Sequence, residues 1–187
     1  SDTIAEIVYE DEENEIGHEE KEIIINAVNF TDTIVEEIIV PRSDIIALPL
    51  DSKFTNIKKL ALETKHSRIP IYEDSLDNIK GFINFKDILP FWESGSKFKI
   101  ENVIRKCLYV PPSMKIVDLL YQMRDSQTKI AIVIDEYGGT DGLVTMEDLI
   151  NEIIGEIDEE EIIPIGGNLY EVNARIKISS VENKLNI

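Results

Sequence analysis

The sequence predicts an α/β (α+β) chain. Two copies of a strand–helix–strand–strand–helix (βαββα) unit pack about a pseudo-twofold axis behind an N-terminal helix. Three observations predict this. The stretch HSRIPIYEDSLDNIKGFINFKDIL, from His66 to Leu89, lies against QTKIAIVIDEYGGTDGLVTMEDLI, from Gln127 to Ile150, at a constant offset of 61 residues without a gap. The runs RIPIY and KIAIVI are β-branched and almost uniformly apolar, as strands covered on both faces are. Hydrophobic residues make up 43% of 187, enough for a core, yet one copy of about 60 residues would have a thin core alone. Pairing the copies across a shared apolar seam solves that, and leaves two related clefts between them.

The elements follow in order. Residues 1–17 read as a flexible acidic segment. HEEKEIIINAVNF (His18 to Phe30) predicts an amphipathic helix with Ile23, Ile24, Ala27 and Val28 on one stripe. TDTIVEEIIV continues a helical linker over 18–37, with Thr31 or Asp32 as its N-cap, until Pro41 breaks the pattern. The first unit is placed at 38–98 and the second at 99–158. Upstream of the gapless block, NIKKLALET parallels KIVDLLYQM after a slip of about two residues, with Ile57 on Ile116 and Leu60 on Leu119. Asp51 and Ser113 are the cap candidates for these helices. EDSLDN and DEYGGTD are turn chemistry. Residues 159–187 read as an acidic linker and the start of a further small domain.

Charge narrows the partners. The net charge is -18, and residues 1–22 hold ten acidic side chains against Lys21. Such a surface repels phosphate backbones and anionic headgroups, so no nucleic-acid partner is expected. The cluster Glu156, Asp158, Glu159, Glu160 and Glu161 is either a solvated linker or a weak Mg²⁺ site. Cys107 is the one cysteine, so no internal disulfide forms, and a small buried apolar role suits it better than that of a nucleophile. There is no phosphate-binding glycine loop, no nucleophile–base pair, and only His18 and His66 for a histidine metal centre. An enzyme is not expected, and no metal site is assigned. No apolar run reaches the ~18 residues of a membrane span. A cytoplasmic setting follows, and the chain reads as part of a longer protein that can carry a membrane domain.

The motif Gly142-Leu143-Val144-Thr145-x-x-Asp148 hands a strand to a helix. It admits two readings. Thr145 as N-cap with Asp148 three residues on is a capping box. The same pair, at a helix N-terminus, also offers a hydroxyl to a phosphate and a carboxylate to a ribose diol. The first copy reads Gly81-Phe82-Ile83-Asn84-x-x-Asp87, with Asn84 where the hydroxyl stood. Arg68 either grips phosphate or pairs with Glu73 or Asp74. His66 either stacks on a base or is plain surface. Ile69 and Ile130 supply apolar walls.

This tandem pattern resembles a pair of CBS domains (a Bateman module). IIVPRSDI, HSRIPIYED and DEYGGTDGLVTMEDLINEIIGEIDEE narrow the resemblance to the hemolysin-C/CorC family and the related CNNM magnesium-transport mediators, from about Gly17 to the end. GNLYEVNARIKISSVENKLNI resembles the first strand and helix of the small C-terminal domain of that family, cut short. The resemblance implies one adenine nucleotide, AMP or ATP, the latter as Mg-ATP, in the cleft closed by the second motif. Thr145 would meet phosphate, Asp148 the ribose, the backbone at Val40 and Pro41 the adenine, and Arg68, before Ile69 and Pro70, the phosphates. Asn84, Asp87 and Lys129 would serve the weaker second cleft. It also implies a homodimer, a regulatory link to Mg²⁺/Co²⁺ handling at a membrane transporter domain, or, if the clefts are empty, an interaction scaffold. The membrane-damaging activity that the family name suggests lacks a cationic amphipathic helix here.

Overall fold

Alternating apolar strands and amphipathic helices resolve into two sheets, each backed by its own helices. In the computed structural model the described residues are 17–93, 98–155, 162–166 and 169–172. Helix α1 (His18–Phe30) comes first, and strand β1 (Val40–Pro41) follows. The first copy contains β2 (Leu48–Pro49), α2 (Phe54–Glu63), β3 (Arg68–Glu73), β4 (Ser75–Asn84) and α3 (Phe85–Ile88). The second contains β5 (Leu108–Val110), α4 (Ile116–Asp125), β6 (Ile130–Ile134), β7 (Thr140–Thr145) and α5 (Met146–Ile154). Strands β8 (Ile162–Gly166) and β9 (Leu169–Val172) pair as a separate antiparallel ribbon.

Both copies have one topology. β2 runs parallel to β3 and β3 antiparallel to β4, as β5 does to β6 and β6 to β7. The second sheet carries a fourth strand, because β1, from ahead of the first copy, pairs antiparallel with β7. The first sheet receives the reciprocal segment. Arg105, from ahead of the second copy, exchanges two backbone bonds with Phe82 of β4, at 2.9 and 2.8 Å. The copies thus swap leading segments. Gly81 and Gly142 mark the crossings: a Cβ on Gly81 would strike the Arg105 carbonyl oxygen, and one on Gly142 that of Val40.

Strand alternation divides the apolar residues among three clusters. Ile57, Ile69, Ile71, Ile83, Ile88 and Ile100 form the first copy's core. Val110, Ile116, Leu119, Met123, Ala131, Val133, Val144 and Leu149 form the second's, joined by Phe30 of α1 and by Val35. The seam between the copies holds Ile79, Phe82, Cys107, Ile130, Ile132 and Leu143.

Pairing register corrects the repeat alignment. Arg68 pairs with Asn84, and Ile130, not Lys129, pairs with Thr145. The true offset is therefore 62 residues through β3 and β6, and falls to 61 at β4 and β7. The first hairpin is one residue longer. Arg68 falls on Ile130, and Ile69 on Ala131. The gapless alignment concealed this, since apolar residues meet in both registers, but a one-residue slip exchanges the two faces of a strand. The helices obey the same offset. Phe54 and Ile116 open α2 and α4, so Ile57 corresponds to Leu119, not to Ile116, and Leu60 to Gln122.

Four local expectations also change. The N-caps of α2 and α4 are Lys53 and Lys115, without side-chain cap bonds, rather than Asp51 and Ser113. Thr31 closes α1 instead of opening a new helix, and only Val35–Glu37 makes a 3-10 turn. Tertiary pairing outcompetes helix there: Val35 N–H donates to the Met114 carbonyl (2.8 Å) and Glu36 N–H to that of Pro112 (3.0 Å). EDSLDN turns only at Asp74, whose φ is 63°, while the residues from Ser75 extend β4. The acidic run 156–161, most of the acidic N-terminal segment, and residues 173–187 lie outside the described residues.

Candidate functional site

The second motif closes a cleft between the copies. β7 delivers Thr145 to the N-terminus of α5, a helix of nine residues. The capping box forms: the Thr145 backbone N–H and its hydroxyl both donate to Asp148 Oδ2 at 2.7 Å, and the Asp148 N–H donates to Thr145 Oγ1 at 3.3 Å. Both of these contacts fall on Oδ2, so Oδ1 has an open hydrogen-bonding position among the described residues.

The cleft encloses about 290 Å³. Val40, Pro70, Ile130 and Leu143 give it an apolar wall, extended by Ile45 and Ile46. His66, Arg68, Thr145 and Asp148 give it a polar rim, together with Asp44, Lys65, Ser67 and Glu147. Seven of the nine residues expected here therefore line one recess. Two do not. Ile69 is fully buried in the first copy's core, because it alternates with Arg68 and Pro70 and points the other way. Pro41 is exposed and pairs with Gly142 beside the cleft.

Arg68 is tied down. Its Nη1 donates to Glu147 Oε1 and Oε2, at 2.9 and 3.1 Å, across the two copies. The Arg68 side chain is only 17% exposed but that of Glu147 is 56% exposed, so one end of the pair is shielded and the other faces solvent. The partner is neither Glu73, which takes Lys80 at 2.8 Å, nor Asp74. Glu147 was not singled out from the sequence, although it sits inside the motif, one residue before Asp148 on the first turn of α5. Leu143 was equally visible as the residue after Gly142. Asp44 and Ile45 lie in the stretch IIVPRSDI but had no site role read from it, and neither had Ile46; the swapped β1 brings all three here.

The first motif builds a different recess. Asn84 Oδ1 accepts from the Lys86 N–H at 3.1 Å, but α3 has only four residues before Pro90 turns the chain into a 3-10 turn. Asp87 does not cap. Arg105 holds it through Nε to Oδ2 at 2.8 Å and Nη2 to Oδ1 at 2.9 Å. Lys129 lines this recess with Asn84. At the opposite ends of β4 and β7, Arg42 clasps Asp77 and donates to the Thr140 carbonyl at 3.0 Å, while the Thr140 N–H donates to Asp77 at 3.0 Å. That clasp ties β4 to β7. The Arg42 guanidinium, then the Thr140 N–H, hold the Asp77 carboxyl down to about 2.

Among the described residues no helix is long and apolar enough to cross a membrane. None of their His, Cys, Asp and Glu side chains gather in a group of three or more that could hold a metal ion.

A family model described as "CBS domain" matches residues 35–93 and 100–155. A protein named hemolysin C from Rickettsia prowazekii (strain Madrid E) is 44% identical over 176 residues, 88% of this chain and 57% of its own length. The chain thus spans little more than half of such relatives. The CBS domain of a bacterial CNNM/CorC family Mg²⁺ transporter superposes with a TM-score of 0.77 at 33% identity, over 84% of this chain and 97% of its own. A structure of such a domain in complex with ATP gives 0.69 at 36% identity, over 74% and 99%. A CBS-domain pair with bound AMP from Klebsiella pneumoniae gives 0.57 at 28% identity, over 66% and 99%.

Proposed function

Because the chain belongs to the CBS domain family, as a tandem pair akin to the hemolysin C homologues and the CNNM/CorC CBS domains, we propose that its Thr145–Asp148 cleft binds one adenine nucleotide. The single observation that carries this reading is the division of the cleft walls. Val40, Pro70, Ile130 and Leu143 are apolar and suit a base; Arg68, with Thr145 and Asp148 at a helix N-terminus, suits ribose and phosphate. The complexes of similar domains with ATP and with AMP support it.

In this reading the open Oδ1 of Asp148 accepts from the ribose hydroxyls while Oδ2 keeps the cap. Thr145 turns its hydroxyl from Asp148 to phosphate. Arg68 exchanges Glu147 for phosphate oxygens. That exchange leaves the Glu147 carboxylate beside a polyphosphate, and Mg²⁺ between them removes the repulsion. Mg-ATP is therefore the preferred form of ATP, with AMP the form least dependent on the cation. The nucleotide bridges both copies and biases their mutual packing only to the extent that it binds one arrangement better.

The chain is then a regulatory module rather than an enzyme. It acts as a homodimer on the cytoplasmic side of a longer protein that handles Mg²⁺ or Co²⁺ through a membrane domain. One observation favours a second reading, an interaction scaffold with no ligand: the Thr145–Asp148 and Arg68–Glu147 contacts satisfy these groups internally. Calorimetric titration with AMP, ADP and ATP, with and without Mg²⁺, separates the two. Binding in the wild type that Asp148→Ala removes supports the sensor; no heat with any nucleotide leaves the scaffold.

A further inference from the structure

We propose that the second cleft, the pseudo-twofold counterpart of the first, is a site for a small polyanion without a nucleoside, of the inorganic di- or triphosphate class. This does not rest on nucleotide binding in the first cleft. The cleft encloses about 370 Å³, and its lining includes Arg68, Lys86, Arg105, Lys106 and Lys129 but no carboxylate. Such a concentration is unexpected in a chain with 19 basic residues against 37 acidic ones.

The two clefts differ at matching positions. Register places Arg105 opposite Phe82 where Val40 stands opposite Leu143. Register likewise places Arg68 opposite Asn84 where Ile130 stands opposite Thr145. Two apolar wall positions of the first cleft are thus guanidinium groups in the second. Glu147 becomes Lys86. The walls that would receive a base are gone, since Phe82 is the one large apolar lining residue and is only 6% exposed. The carboxylate that would receive a ribose, Asp87, is taken up by Arg105 and does not line the cleft, and the two bonds keep the Arg105 side chain in place. Arg68 is shared between the clefts and held by Glu147.

Lys86, Lys106 and Lys129 are exposed and have no ion pair among the described residues. Unpaired like charges held side by side repel one another, and a multivalent anion relieves that repulsion. Phosphate oxygens accept from both guanidinium and ammonium donors, whereas a base finds no broad apolar wall here and a ribose no carboxylate in the lining.

The test is titration of the whole chain with inorganic tripolyphosphate, followed by heat and by amide shifts at Lys106 and Lys129. Wild type and Asp148→Ala are expected to bind alike, and AMP is expected to compete only as far as it draws on the shared Arg68. Lys86→Gln combined with Lys106→Gln is expected to weaken tripolyphosphate about tenfold or more, with the fold checked by circular dichroism. In Asp148→Ala, ATP is expected to bind here no tighter than tripolyphosphate, because only its phosphates are recognised. Four outcomes overturn the proposal: no binding at low millimolar tripolyphosphate; loss of that binding in Asp148→Ala; unchanged binding in the double lysine variant; or displacement by equimolar sulfate, which would mean unspecific charge attraction.

Discussion

At the scale of single residues, Thr145 and Asp148 cap α5 and also line the cleft, with Asp148 Oδ1 left open by the cap. Thr145→Ala removes the cap and is expected to cost about 1 kcal/mol in urea unfolding, whether or not nucleotide binds. Asp148→Ala should also lose the cap, and lower ATP affinity at least tenfold where the sensor reading holds. Glu147→Gln is the more discriminating change. It frees Arg68 and removes a carboxylate from the phosphate end, so ATP binding should depend less on Mg²⁺ than in the wild type; titrations with and without the cation read this directly. Asp77 sets a pH dependence. Its carboxyl is depressed to about 2 in the folded chain by Arg42 and Thr140. A depressed folded value means stability present above the ordinary carboxylate range and lost as pH falls toward 2. Asp77→Asn should therefore lie below wild type at neutral pH and converge with it in acid, as thermal melts across pH 2–6 will show. These residues differed in how readable they were. The Gly–Thr–Asp spacing exposed Thr145 and Asp148, whereas the partner of Arg68 lies 79 positions away and left no local trace.

At the scale of elements, the swapped leading segments are the device that builds the clefts. β1 carries Val40 into the second sheet, and the Arg105 segment lies on the first. Gly81→Ala and Gly142→Ala should each destabilise the chain by about 1–3 kcal/mol, because a backbone carbonyl cannot yield to the added Cβ. Gly81→Ala should be the worse of the two, since its φ of 153° adds strain, and denaturant midpoints will rank them. The helices that end the two copies explain why the clefts differ. α5 runs nine residues, whereas α3 stops after four at a proline. Within the two copies helix and strand identities were legible from periodicity, whereas the helical linker expected to run on to residue 37 was not formed. The caps of α2 and α4 were not, because their entry angles are set by packing and both helices begin after a lysine with no side-chain cap.

At the scale of the whole molecule, the first cleft is lined from both copies, so a nucleotide bound there under the sensor reading should stabilise them as a unit. At a free concentration one hundred times Kd, one site contributes about 2.7 kcal/mol. A single shifted melting transition is expected with Mg-ATP; two transitions would mean that the copies unfold independently. The seam, the pseudo-twofold pairing and the family were determined by the sequence itself, because they follow from which residues are apolar, where they recur, and one motif repeated. The tertiary structure decided the rest. It moved Arg68 from the position of Lys129 to that of Ile130, buried Ile69, and collected five cations in one cleft. The physical reason is the two-residue period of a strand. Apolar runs match equally well in adjacent registers, and only backbone pairing across the sheet selects which face each side chain occupies.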